Sequence, residues 1–368
     1  MTRDSQQEWE DYKRRELGAL KPVLTTLGFE LEAEQPHLIG ERYLQRAVTT
    51  IHGRKLILVG KRVSDAKRAV IKATSDRDGV YEIEHDRFCR DALQKLHFAY
   101  HAFYSPKETL FTKRNGFTIF IQEFLEQPCA FIDRPVEEQF HFALTAFKAQ
   151  ESAHAATYNH RRFIAKTFGE KIVEDYLHTF ANFGNTLCDA LPDDSMLCHA
   201  LDRGVAFLAE HKKTIEQYSG FLTHIDFVPH NFRIVNGDIY LLDHSSIRFG
   251  NKYEGWARFV NFMEVYSREL ARWLVQYVRD NRTEEESLSL KLMRIYRLGE
   301  IIYYYADTIE QSSGDLLKLN RARVVLWRDV LTAILADTPV PPEVIGQYKQ
   351  TRDSLRSADE KKRQKGLH

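Results

Sequence analysis

The chain of 368 residues is 43% hydrophobic and 28% charged, and its 52 Lys and Arg balance 52 Asp and Glu. That length allows a two-lobed unit with substantial cores, and the zero net charge argues against nucleic acid or an anionic membrane surface as the main partner. The 4 cysteines (Cys89, Cys129, Cys188, Cys198) are dispersed and form no C-x-x-C, which argues against a zinc site or a disulfide framework.

The N-terminal stretch MTRDSQQEWEDYKRREL is too polar for a signal peptide, and no apolar run reaches the length of a membrane span. A cytoplasmic protein is expected. Residues 5–28 read as a helix, with Ser5 as N-cap, a face of Trp9, Tyr12, Leu17, Leu20 and Leu24, and Gly28 as its stop. This helix makes a unit of its own over 1–29. Strand signals follow over 42–50, 55–59 and Arg68–Thr74. A helix is predicted over 80–104, where Phe88, Ala92, Leu93 and Leu96 recur at helical spacing. Segments 109–112 and 117–125 then form a hairpin about Asn115-Gly116, a strong turn signal. Residues 30–126 therefore predict a small antiparallel sheet carrying one helix.

Glu126-Gln127-Pro128 breaks the last strand and reads as a hinge. From Glu137 the pattern turns helical, with helices predicted over 137–158, 170–191, 195–218, 254–280, 284–310 and 314–336. They make a second unit over 127–345. A charged tail follows over 346–368, and from Thr351 it is poor in large apolar residues, as expected of a solvated or frayed helix. The fold class is α+β in two lobes.

The most informative stretch is FLTHIDFVPHNFRIVNGDIYLLDHSSIRFG, residues 221–250. Phe232–Val235 reads as a strand, Asn236-Gly237-Asp238 as a tight turn and 239–242 as the returning strand. Such a hairpin brings Asn231, before one strand, close to Asp243, after the other. Two hard oxygen ligands side by side, one neutral and one anionic, suit Mg²⁺ that is also held by nucleotide phosphates. Asp226 lies earlier on the same loop, where it can orient or deprotonate an attacking hydroxyl. The plainer alternative is a turn-rich hairpin whose Asp and Asn only cap turns.

This stretch resembles the catalytic and metal-binding loops of the protein-kinase-like superfamily, closest to its aminoglycoside phosphotransferase and choline kinase branch. That branch shows H-G-D-hydrophobic-x-P-x-N and then hydrophobic-D-[WF]. The chain keeps His224, Asp226, Pro229, Asn231 and Asp243, with Ile225 in place of Gly and His244 in place of the aromatic. The resemblance implies a two-lobed protein-kinase-like fold, with a small antiparallel-sheet N-lobe carrying one helix and a mostly helical C-lobe. It also implies ATP as phosphoryl donor, with GTP not excluded, and Mg²⁺. Asp226 would be the catalytic residue, His224 a brace for its loop, and Asn231 and Asp243 the metal ligands.

Ala69-Val70-Ile71-Lys72-Ala73 resembles the superfamily's third strand, whose Lys contacts nucleotide phosphates. Relatives hold that Lys with a Glu from the next helix. Glu84 is the first choice because Glu84, Phe88 and Ala92 share a helical face, with Glu82 and Asp86 as competitors. The loop expected to cover the phosphates, Thr49-Thr50-Ile51-His52-Gly53-Arg54, has one glycine, so the Thr49 and Thr50 hydroxyls and the Gly53 backbone are its candidates. Gln122 to Leu125, and so Glu123, Phe124 and Leu125, should offer backbone groups to the base. His230 and His244 are expected to line the pocket, and Tyr296, Tyr303, Tyr304 and Tyr305 to form core or pocket wall.

Val228 stands where protein Ser/Thr kinases carry a Lys, and no A-P-E segment follows Asp243, so a small-molecule acceptor is favoured over a protein. On the acceptor side Glu254, Glu264, Glu269, Glu300 and Asp307 interleave with Arg258, Arg268, Arg272, Arg294 and Arg297. That mixture gives no acidic surplus for a polycation. The expected acceptor is a hydroxylated metabolite or sugar rather than an aminoglycoside. The alternatives are an inactive nucleotide-binding interaction module and a protein kinase.

Overall fold

The computed structural model describes residues 3–35, 55–96, 104–157, 160–309, 312–356, 358 and 361. Helix α1 (Arg3–Thr26) ends just before Gly28, whose φ of 80° takes the chain through a turn that a residue with a Cβ resists. Its stripe of Tyr12, Leu20, Val23 and Leu24 is buried against Leu56, Leu58, Ala69, Ile71, Ala73, Ile119 and Ile121. Those residues belong to one face of an antiparallel sheet that has five strands among the described residues: β1 (Phe29–Leu31), β2 (Leu56–Arg62), β3 (Arg68–Thr74), β4 (Glu108–Arg114) and β5 (Phe117–Glu123), ordered β1-β2-β3-β5-β4. Side chains alternate across a strand, so Ala69, Ile71 and Ala73 face α1 while Val70 and Lys72 face the other way. The β4–β5 turn uses Asn115 and Gly116 at φ 51° and 80°, as its Asn-Gly signal predicts. The strand predicted over 42–50 lies outside the described residues.

Helix α2 (Arg77–Lys95) starts at Asp76, whose side chain accepts from the Gly79 N–H. It ends earlier than the predicted 104, and it is turned differently. Phe88, expected on the inner face, is 54% exposed, whereas Ile83, Asp86, Cys89 and Arg90 are buried.

The second lobe holds α3 (Val136–Thr157), α4 (Arg161–Phe168), α5 (Val173–Ala190), α6 (Ser195–Glu210) and α7 (Lys212–Gln217) before the stretch of residues 221–250. After it come α8 (Glu254–Tyr266), α9 (Arg268–Asn281), α10 (Glu284–Asp307), α11 (Gly314–Leu335) and α12 (Pro342–Leu355). Three predicted helices prove shorter or divided. Gly169 (φ 72°) leads into an extended segment before α5, His211 separates α6 from α7, and extended Ser267 separates α8 from α9. Helix α12 buries Ile345 and Tyr348, and its last turn runs into the segment from Thr351 that was expected to be a solvated or frayed helix. Cys188 in α5 and Cys198 in α6 form one disulfide, because the short α5–α6 connection brings their Cα atoms to 5.5 Å. Among the described residues no helix is long and apolar enough to cross a membrane.

Two small hairpin-like pairs carry the informative stretch. Strand β6 (Phe221–His224) pairs with β9 (Ile247–Gly250), and β7 (Phe232–Val235) with β8 (Asp238–Leu241). The β7–β8 turn runs through Asn236 (φ 52°) and Gly237 (φ 89°). Beneath them lies an aromatic cluster: Phe147 stacks on Trp256 at 4.1 Å and Phe227 on Phe232 at 4.9 Å, with Phe131 and Phe259 edge-on to their neighbours. Such pairs add about 0.5–1.5 kcal/mol each beyond area burial, so the loop between His224 and Phe232 rests on a firm floor. Gly255 lets α8 approach that floor, since its N–H bonds the Thr223 hydroxyl and a Cβ there would lie 2.7 Å from the His224 carbonyl oxygen.

Candidate functional site

The two strand pairs decide which loops meet. Phe232 pairs with Leu241, and beyond that pair the Leu242 N–H donates to the Asn231 carbonyl at 2.9 Å. His224 pairs with Ile247, and the Ile225 N–H donates to the Ser246 carbonyl at 2.9 Å. Residues 224–231 and 242–247 therefore run side by side, and Asp226, Asn231 and Asp243 come together as the hairpin reading expects.

His224 is buried, and its Nε2 donates to the Asp243 carbonyl oxygen at 2.6 Å. Burial pushes its imidazole below the usual pKa, against the opposing pull of Asp243 and Asp226. Gln150, from α3, accepts the His224 N–H at 3.0 Å and the Thr223 hydroxyl at 3.3 Å. The geometry is that of a brace.

Asp226 Oδ1 accepts from Arg258 Nε at 2.8 Å, and Oδ2 accepts from Asn231 Nδ2 at 2.9 Å. Burial alone would raise the Asp226 pKa, but the Arg258 and Arg297 guanidiniums outweigh it and hold the carboxyl well below the usual range. Asn231 Nδ2 also donates to the Asp226 carbonyl at 2.9 Å, so the amide nitrogen is committed and its oxygen is left to bind something else. Asp243 accepts the Ser245 hydroxyl on Oδ1 and the Ser246 hydroxyl on Oδ2, each at 2.6 Å. A carboxylate oxygen keeps accepting capacity after one such bond. One amide oxygen and one carboxylate make a hard donor set that fits Mg²⁺ completed by phosphate and water.

Lys72 Nζ bonds Asp86 Oδ2 at 2.7 Å. Glu84 is thus corrected as its partner: it pairs with exposed Lys113, and Glu82 pairs with Lys55. The face of α2 turned inward is set by the burial of Ile83, Cys89 and Ala92, which carries Asp86 to the cleft and Glu84 away from it. Burial would raise the Asp86 pKa, but Lys72 and His244 outweigh it and keep the carboxyl far below its ordinary value. Asp86 Oδ1 also accepts the His244 N–H at 2.9 Å, linking α2 to the residue after Asp243. His244 is only 1% exposed and lies under the loop rather than on a pocket wall. His230 packs edge-on against Phe262, with ring centroids 5.5 Å apart.

At the hinge, the Glu123 N–H bonds the Lys107 carbonyl at 2.9 Å and the Phe124 N–H the Arg68 carbonyl at 3.2 Å. Phe124 itself lies under the Arg68 guanidinium at 3.8 Å. Two of the expected base-contacting N–H groups are therefore spent inside the protein, and among the described residues the Leu125 N–H has no protein partner. Thr49, Thr50 and Gly53 lie outside the described residues. Four of the charges expected on the acceptor side are buried and paired: Glu264 with Arg294 at 2.8 Å, and Glu254 with Arg297 at 3.5 Å, with Lys171 also 3.9 Å from Glu254. Tyr296 and Tyr305 are core residues, and Tyr303 stacks on Phe183 at 4.9 Å. A cavity of about 530 Å³, lined in part by Lys171, Gly220 and Phe249, opens at the far end of β6 from Asp226.

Sequence reasoning missed the contacts of Arg258, Ser245, Ser246 and Gln150. The serines follow Asp243 directly, as Asp-His-Ser-Ser, and that run of small hydroxyl residues was a usable signal. Arg258 and Gln150 gave none, because they reach the loop from helices distant in sequence.

No protein-family model matches the sequence, and no curated protein sequence does either. Solved structures do match. The fold is similar to that of a thermostable mutant of aminoglycoside phosphotransferase APH(4)-Ia in ternary complex with ADP and hygromycin B, at TM-score 0.55 and 15% identity over 86% of this chain and 98% of that one. It is also similar to aminoglycoside 2'-phosphotransferase-IIIa in its GDP complex, at TM-score 0.53 and 12% identity over 88% of this chain and 99% of that one. A macrolide 2'-phosphotransferase type I matches at TM-score 0.50 and 13% identity over 84% of this chain and 97% of that one. With its five-stranded antiparallel N-lobe, its helical C-lobe and the paired loops between them, the chain has the protein-kinase-like fold seen in these phosphotransferases.

Proposed function

We propose that the protein transfers a phosphoryl group from Mg·ATP to a hydroxyl of a small molecule. The observation that carries this reading is the convergence of Asp226, Asn231 and Asp243 on two adjoining loops, with Asp86 tying Lys72 to the same loop through His244. Asn231 and Asp243 would hold Mg²⁺, which when bound neutralises charge on the phosphate oxygens. Lys72 supplies a point charge that follows those oxygens. Thr49, Thr50 and Gly53 are the proposed phosphate cover, and Leu125 the proposed hinge contact to the base. The similar structures include complexes with ADP and with GDP, so GTP stands as the alternative donor.

Asp226 faces the acceptor. A carboxyl held far below its ordinary pKa is a weak base, so its main work is to orient the hydroxyl, with the proton leaving late. That suits a loose phosphoryl-transfer transition state, in which the nucleophile needs alignment more than activation. Arg258 fixes the carboxylate in position, and His224 holds the loop. The buried pairs of Glu254 and Glu264 take two carboxylates out of acceptor binding, which supports a metabolite or sugar over a polycationic aminoglycoside. ATP-dependent chemistry of this kind supports a cytoplasmic location, where ATP and Mg²⁺ are available.

The test is a screen of pooled metabolites, sugars and aminoglycosides with γ-labelled ATP and Mg²⁺. The expected result is a labelled metabolite or sugar, absent with Asp226→Asn. Label confined to protein would make it a protein kinase. No label, with Asp226→Asn behaving like the wild type in every assay, would leave an inactive nucleotide-binding module, the reading that His244 and the single-glycine loop favour.

A further inference from the structure

His244 takes the place of the aromatic residue in the sequence pattern this stretch resembles, and its contacts are polar. The ring is 1% exposed, and its Nε2 lies 2.8 Å from Ser105 Oγ. Nδ1 is 3.6 Å from Asp86 Oδ1, the oxygen that accepts the His244 N–H. Ser105 follows Tyr104, whose N–H donates to the Ile239 carbonyl at 2.9 Å and whose carbonyl accepts from the Leu241 N–H at 2.8 Å. The segment entering β4 is therefore pinned to β8, and His244 closes a ring from β8 through Asp243 to Ser105 and back. The other Asp86 oxygen holds Lys72. An apolar ring at this position would fill the space in several orientations. The buried ring makes its hydrogen bond to Ser105, while Nδ1 stays beyond hydrogen-bond reach of Asp86, and that one directional bond selects one loop conformation.

We propose that His244 is a positioning residue. With Ser105 and Asp86 it locks the Asp243 loop against the segment before β4 and fixes Asp243 relative to Lys72. The metal-positioning half of this inference rests on the phosphotransferase reading, whereas the lock does not.

The test compares wild type, Ser105→Ala, Ser105→Thr, His244→Phe and the Ser105→Ala/His244→Phe double variant. The first readout is amide hydrogen exchange in the ligand-free protein. Ser105→Ala should speed exchange over residues 243–247 by about 5- to 10-fold, the worth of one net hydrogen bond, with α10 unchanged. Ser105→Thr keeps the hydroxyl and should behave as wild type. His244→Phe should reproduce the effect of Ser105→Ala, and the double variant should be no worse than either, because both remove the same bond. The second readout is calorimetric titration with AMP-PNP. The gain in affinity on adding Mg²⁺ should shrink by about 5- to 10-fold in Ser105→Ala, with Mg²⁺-free affinity within about twofold of wild type. Unchanged exchange in Ser105→Ala, or additive effects in the double variant, would overturn the lock. A wild-type protein with no Mg²⁺-dependent nucleotide binding would overturn the phosphotransferase reading and the metal-positioning half with it, and the exchange comparison still decides the lock.

Discussion

Removing the Asp86 carboxylate tests the cleft most sharply, because Glu84 and Asp86 lie on the same helix and only one of them holds Lys72. Asp86 and Lys72 have side chains 9% and 17% exposed, whereas Glu84 and Lys113 are 40% and 61% exposed. Asp86→Ala strips Lys72 of its partner and leaves the His244 N–H unpaired. Breaking a buried pair by deleting one member costs about 3–5 kcal/mol. Lys72 keeps some access to water, so the lower end applies, about 3 kcal/mol. At about 2 °C per kcal/mol for a long chain, Tm should fall by roughly 6 °C. Glu84→Ala breaks only a surface pair, worth about 0–1 kcal/mol, and should shift Tm by roughly 2 °C or less. Calorimetric melting of the two variants beside the wild type decides the matter, and nucleotide titration should show weaker binding for Asp86→Ala alone. Equal shifts, or a neutral Asp86→Ala, would refute the assignment of Asp86.

Asp226→Asn should lower turnover by roughly 10²–10⁴ with nucleotide affinity nearly unchanged, and loss of ATP binding would mean that the residue is structural. Gly255→Ala should destabilise by about 1–3 kcal/mol in denaturant titration, since its Cβ would sit 2.7 Å from the His224 carbonyl oxygen and 2.8 Å from Thr223 Oγ1. A neutral result would contradict the close approach of α8. The Asp86 carboxyl is held below its unfolded pKa of about 4, so its contribution to stability is present above that pH and is lost as pH falls below it. The Tm gap between wild type and Asp86→Asn should therefore narrow between about pH 6 and pH 3, and a constant gap would show that the folded carboxyl is not so shifted.

Much of this protein was legible from local spacing. The β7–β8 hairpin, and with it the meeting of Asn231 and Asp243, follows from Asn236-Gly237 between two apolar runs, because a two-stranded turn of that length allows one register. Lys72 on β3 follows from alternation about Ala69, Ile71 and Ala73. Glu84, Phe88 and Ala92 follow one another at helical spacing, yet Ala92 is buried while Phe88 and Glu84 face outward, because spacing is silent on how the helix is rotated against its neighbours. Phe88 drew the expectation to the wrong side, for an exposed aromatic and a core one look alike in sequence.

What remained belongs to long-range packing. The helix rotation that brings Asp86 to Lys72, and the arrival of Arg258 at Asp226, depend on how whole elements seat against one another. So do the Ser105 bond to His244 and the disulfide between α5 and α6. Spacing along the chain encodes which groups share a turn, a strand face or a helix stripe. Only the burial of many apolar side chains at once sets the orientation of one element on another, and that orientation decided which charges in this cleft found partners.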